Sequence, residues 1–76
     1  MQAVTISLIQ VQQVQKFVDL VRKFPFEVDI VSGRYTVNAK SMLGIYSLDL
    51  SRPLNVLIYS DDCEELKTEL KKFMQE

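Results

Sequence analysis

The chain has 76 residues, 47% of them apolar, with nine Lys or Arg against ten Asp or Glu for a net charge of −1. That is room for one domain over residues 1–76 with a single hydrophobic core, in a composition too apolar for disorder and too near neutrality for a global attraction to nucleic acid or an anionic membrane. The lone cysteine, Cys63, and the absence of histidine exclude an internal disulfide and a zinc constellation, so no metal or cofactor is expected; the missing signal-peptide pattern, and the lack of any apolar run near the ~20 residues of a membrane span, point to a cytoplasmic protein.

Val4, Ile6 and Leu8 alternate with Ala3, Thr5 and Ser7, the period of a strand with one buried face, predicted over Ala3 to Ile9. Near Gln10 the period changes. Val11, Val14, Phe17, Val18 and Val21 recur at three- and four-residue spacing, with Gln12, Gln13, Gln15, Lys16, Asp19 and Arg22 between them, which predicts an amphipathic helix ended by Pro25. Phe26, Val28 and Ile30, then Tyr35, Val37 and Ala39, alternate with polar residues on either side of Ser32-Gly33, the pattern of a hairpin whose turn needs the positive φ of Gly33.

The segment Asn38 to Leu50 reads differently. Ser41 is a good helix N-cap, and the run after it is mostly apolar and broken by Gly44, so a helix of about two turns is predicted to start there. So short a helix cannot bury Met42, Leu43, Ile45, Tyr46 and Leu48 on one side. With Ile45 and Leu48 inward, Met42, Leu43 and Tyr46 are left as a surface patch.

Leu54 to Tyr59 reads as a fourth strand with Val56 and Ile58 inward, begun by Pro53. Ser60-Asp61-Asp62 then opens a last helix, with Glu64 and Glu65 three residues beyond the two aspartates as in a capping box, and with a buried stripe of Leu66, Leu70, Phe73 and Met74. These acids could hold a cation, but capping explains them more simply. Cys63 reads as a filler at the core edge, and Tyr35 and Tyr59 as sheet packing. Lys40, Arg34 and Arg52 read as scattered solvated charges rather than a cluster around Ser41. The element order is β-α-β-β-α-β-α, an α+β fold in which helices cover one face of a four-stranded, mainly antiparallel sheet.

This order, and the motif Lys40-Ser41-Met42-Leu43-Gly44-Ile45 with Leu48, resemble the HPr family of the bacterial phosphotransferase system and its regulatory-serine pattern. The resemblance implies an HPr-like open-faced β-sandwich. Phosphocarriers of that family hold an active-site histidine at the start of helix one and pass phosphate from enzyme I to the sugar-specific enzymes. Ungapped alignment from Ser41 puts Gln10 at that position and Gln12 at the family's neighbouring arginine. A glutamine amide is not nucleophilic, and a serine ester is too stable to return phosphate through a relay, so no phosphohistidine shuttle is expected and the chain is not read as an enzyme. Loss of the arginine also removes a fork-shaped donor for phosphate. The hairpin glycine lies one residue earlier than in the family's usual turn, with no functional reading.

The histidine-less branch typified by the catabolite-repression HPr paralogue, Crh, also has glutamine there and shares the run Val37-Asn38-Ala39-Lys40-Ser41. By that resemblance Ser41 is a site of regulatory phosphorylation, and Lys40, Met42, Leu43 and Tyr46 are partner-binding. The implied partners are HPr kinase and a LacI-type catabolite control protein or a metabolic enzyme, with the chain a monomer or homodimer and with no direct role for nucleic acid or membrane. The alternative is an unmodified interaction domain that binds a metabolic enzyme or transporter through the same apolar patch. On residues alone Ser41 is first of all a cap. A phosphate at a helix N-terminus is compatible with that role, because the dipole and free N–H groups favour negative charge.

Overall fold

Burial of one strand face organises the molecule, described over residues 1–73 in a computed structural model. Strands β1 (Gln2–Ile6), β2 (Val28–Ser32), β3 (Tyr35–Asn38) and β4 (Leu54–Ile58) form a sheet of order β1-β4-β2-β3. Every neighbouring pair is antiparallel, and the register sets Val4, Val56, Ile30 and Val37 in one row across the four strands. Alternation sends these residues to one side. There they meet helix α1 (Val11–Val21), the short helix α2 (Met42–Tyr46), and α3 (Glu64–Leu70) with the 3-10 turn Lys71–Phe73 that follows it. The predicted one-sided α+β architecture is the one observed.

The core is wholly apolar, with no polar or charged residue buried among those described. Its centre is Phe17 on α1, fully buried and edge-on to Phe73 at a centroid distance of 5.9 Å, an arrangement that aromatic rings favour. Cys63 is buried within the same cluster. The opposite sheet face is open. There Thr5 Oγ1 donates to Asn55 Oδ1 at 3.1 Å, and the Asp29 carboxyl beside the Tyr59 hydroxyl, then desolvation, raises the Tyr59 pKa.

Some expectations are corrected locally. The first strand stops at Ile6 instead of Ile9, because Ser7 N donates to Phe73 O at 2.8 Å and so leaves the ladder; Leu8 is buried all the same. Val11 has the spacing of the buried stripe of α1 but is 67% exposed; the stripe starts at Val14. Helix α1 ends at Val21, before Pro25, in a tightened turn where Lys23 N and Phe24 N donate to Leu20 O and Val21 O. The capping box predicted for the last helix does not form. Cys63 is the N-cap, drawn inward by its burial, while Ser60 Oγ accepts from Asp62 N and Asp61 faces the amino group of Met1 at 3.5 Å. Glu64 and Glu65 still occupy the first turn, where the helix dipole favours acids. The expected burial of Met74 lies outside the described residues.

The hairpin is as predicted. Ser32 pairs with Tyr35, and Gly33 has a positive φ, +59°, alone among the described residues, as a two-residue turn with glycine in first place requires.

Replacing Phe17 with Ala should lose about 4 kcal/mol, and Ile30 with Val about 1 kcal/mol. Domains of this kind are stable by only ~5 to 15 kcal/mol, so urea denaturation should find Phe17→Ala close to unfolded and Ile30→Val cooperative. Equal small losses at both sites would contradict a core centred on Phe17.

Candidate functional site

Helix α2 is built on its cap. Ser41 leaves β3 with φ −106° and ψ 108°, its Oγ accepts from Gly44 N at 3.1 Å, and its carbonyl accepts from Ile45 N at 3.1 Å. This satisfies two donors of the first turn. The approach is fixed one step earlier, where Ser41 N donates to Asn38 O and the Asn38 side-chain carbonyl accepts from Lys40 N at 2.8 Å.

Gly44 had no assigned role in the sequence beyond interrupting the apolar run. In the fold it is the point of close approach to the sheet. A Cβ there would lie 3.2 Å from Val37 Cβ and 3.3 Å from Ser41 Oγ, both tighter than ordinary packing, so a larger residue would push α2 off β3 or crowd the serine hydroxyl.

Two cations tie this entry to the end of α1. Lys40 Nζ donates to Phe24 O at 3.0 Å, and Arg22 donates to Lys40 O at 3.0 Å. The ammonium of Lys40 is therefore engaged within the chain. Past the cap the side chains divide as their spacing predicts: Ile45 is fully buried and Leu48 nearly so, while Leu43 is 85% and Tyr46 40% exposed. Met42 is half-buried against the core, so the exposed apolar surface centres on Leu43 and Tyr46.

Gln10 is the N-cap of α1 and is exposed. Gln13 Oε1 folds back to accept from Gln10 N at 3.0 Å and Ile9 N at 2.8 Å, a return bond of the capping-box type. Gln12 is exposed in the same turn. The two glutamines thus stand at the start of α1 with exposed amide side chains, which are not nucleophilic.

Arg34 and Arg52, scattered in the sequence, come together in the fold. Antiparallel pairing of Val31 with Asn55 carries the tip of the β2–β3 hairpin to the start of β4, and both arginines line one cleft there, with Leu48 and Pro53 among its walls. Asp49 lies in the same cleft, its carboxyl held below the usual range by hydrogen bonds from the Ser51 hydroxyl and backbone N–H. No local sequence pattern announces this grouping, which exists only through strand register.

Residues 9–76 match the PTS-HPr family, described as the PTS HPr component phosphorylation site. Among solved structures, the chain is similar to HPr-C-His from Thermoanaerobacter tengcongensis, with 29% identity and a TM-score of 0.79 over 95% of this chain and 89% of that one. It is also similar to the phosphocarrier protein HPr from Bacillus anthracis str. Ames, with 28% identity and a TM-score of 0.73 over 97% and 94% of the two chains. Comparison with curated protein sequences returns no match.

Ser41→Ala removes one cap bond and should lower stability by about 1 kcal/mol, read as a shift of the urea midpoint with unchanged slope. No shift would mean that the hydroxyl is not needed to hold α2.

Proposed function

The chain belongs to the HPr family of the phosphotransferase system, and from that membership we propose that it is a regulatory binding protein of carbon catabolite control rather than a phosphohistidine carrier. HPr-family proteins are not themselves enzymes and work through contacts with other proteins of the phosphotransferase system. In this reading Ser41 is the phosphoacceptor, and Leu43 and Tyr46, with Met42 and Lys40 beside them, form the docking face. The partners are HPr kinase and a LacI-type catabolite control protein or a metabolic enzyme, in the cytoplasm. No helix among the described residues is long and apolar enough to cross a membrane.

The observation that carries the proposal is the placement of the Ser41 hydroxyl at the cap of a short helix whose next residue but one, Leu43, stands 85% exposed. A kinase would transfer the γ-phosphoryl group of ATP to Oγ: the Oγ–P bond forms as the bond from the γ-phosphorus to the β,γ-bridging oxygen breaks, ADP leaves, and a base of the kinase takes up the hydroxyl proton. The product adds about −2 charge beside an apolar surface, a change that a partner can read while the fold stays intact. The absence of histidine from all 76 residues supports the other half of the reading. Imidazole both accepts phosphate and releases it near neutral pH, and neither the Gln10 amide nor a serine ester can do both.

The chain incubated with HPr kinase and ATP should gain the mass of one phosphoryl group, and Ser41→Ala should gain none. Enzyme I with labelled phosphoenolpyruvate should leave both unlabelled. Absence of kinase-dependent mass gain, or gain that survives Ser41→Ala, defeats the assignment of Ser41; label from enzyme I defeats the loss of carrier function.

The docking face is tested separately. Leu43→Asp should leave the unfolding midpoint within about 0.5 kcal/mol of the parent, as expected of an exposed position. It should weaken capture of the catabolite control protein by the phosphorylated chain by roughly tenfold, the effect of losing about 1.4 kcal/mol at a contact. Unaltered capture would remove Leu43 from the interface. The exposed patch exists whether or not Ser41 is modified, which keeps open the reading of an unmodified domain that grips a metabolic enzyme or transporter; there, capture would be independent of ATP and kinase.

A further inference from the structure

Two of the three arginines in the chain, Arg34 and Arg52, share a cleft of about 400 Å³ with Tyr35, Asp49, Ser32 and Ser47. Their situation differs from that of the third, Arg22, which is committed to the carbonyl of Lys40. Arg34 has no hydrogen-bond or ion-pair partner among the described residues. Arg52 meets only Asp49, Nε to Oδ2 at 3.5 Å, with both side chains more than half exposed. An ion pair of that kind is weak. Two arginines with no strong partner therefore line one cleft, beside the Gly33 turn and the buried Leu48.

A guanidinium presents parallel N–H donors that match the oxygens of a phosphate, and two arginines lining one cleft can match its double charge. Asp49 adds a selective element. Its Oδ1 is occupied by the Ser51 N–H and hydroxyl, and the carboxylate stays ionised, so the group repels a bare anion but accepts hydrogen bonds from hydroxyl groups. Ser32 and Ser47 add hydroxyl oxygens to the walls, and the ring of Tyr35, 70% exposed at the head of the edge strand β3, offers a flat apolar surface.

We propose that this cleft is a binding site for a small phosphate monoester whose organic part carries hydroxyl groups, with the phosphate between Arg34 and Arg52 and a hydroxyl on Asp49. The site lies beyond the C-terminal end of α2, whereas Ser41 caps the N-terminal end, so it does not depend on the modification of Ser41.

The test is an NMR titration of the full chain with glycerol 3-phosphate, inorganic phosphate and glycerol at fixed ionic strength. Glycerol 3-phosphate should give saturable shifts centred on Gly33, Arg34, Tyr35, Asp49 and Arg52, and should bind about tenfold more tightly than inorganic phosphate, as added hydrogen bonds to a charged group allow. Glycerol alone should give none. Arg34→Gln or Arg52→Gln should weaken the ester about tenfold or more while amides elsewhere keep their positions, and Asp49→Asn should narrow the gap between ester and inorganic phosphate. Ser41→Ala should bind as the parent does, which separates this proposal from the preceding one. Shifts that rise linearly without saturation, equal binding by ester and inorganic phosphate, or indifference to both arginine substitutions would each overturn it.

Discussion

Everything in this molecule depends on the burial of a single sheet face. Val4 and Ile6, Leu54, Val56 and Ile58, and Val28 and Ile30 all project to one side and are sealed there by Phe17, Leu66 and Leu70 from the helices. Among the described residues that one contact layer forms the hydrophobic core, and no polar group among them is buried to complicate it. Ordinary close packing therefore specifies the fold. It follows that all chemistry sits at the surface, in the connections that the layer holds in place.

Helix α2 is the connection most strongly shaped by this constraint. It crosses from β3 to β4 with five residues of helix and an excess of apolar side chains. Ile45 and Leu48 satisfy the core, Met42 half-satisfies it, and Leu43 is left outside. Ser41 on one side and the Lys40 and Arg22 bonds to the α1 turn on the other hold the helix to the frame. The same few bonds that make so short a helix possible also present its hydroxyl and its exposed leucine together. Membership of the HPr family gives that presentation a context.

Most of the architecture was legible in the residues. Period two in Val4, Ile6 and Leu8 and in Leu54, Val56 and Ile58, the change to helical spacing at Val14, Phe17, Val18 and Val21, the glycine of the hairpin and the serine of the cap are local signals, and local signals survive folding when the core endorses them. Where the reading slipped, a long-range contact intervened. Ser7 leaves the strand for the carbonyl of Phe73, in the turn that follows α3. The burial of Cys63 displaces the start of α3 and dissolves the expected capping box. Val11 has the right spacing but, as the first residue of α1, stays 67% exposed.

The sequence by itself determined the elements and their order, the single apolar face, the cap at Ser41, the surplus of apolar groups after it and the lack of any imidazole, because each of these is a property of residues near one another in the chain or of composition. Only the tertiary structure decided which of the surplus groups stay outside, that Gly44 is a point of contact with β3, that Lys40 is engaged by the carbonyl of Phe24, and that Arg34 and Arg52 stand in one cleft. Those facts depend on antiparallel register and on helix placement, which join residues far apart in the chain, and no pattern within a few residues can encode them.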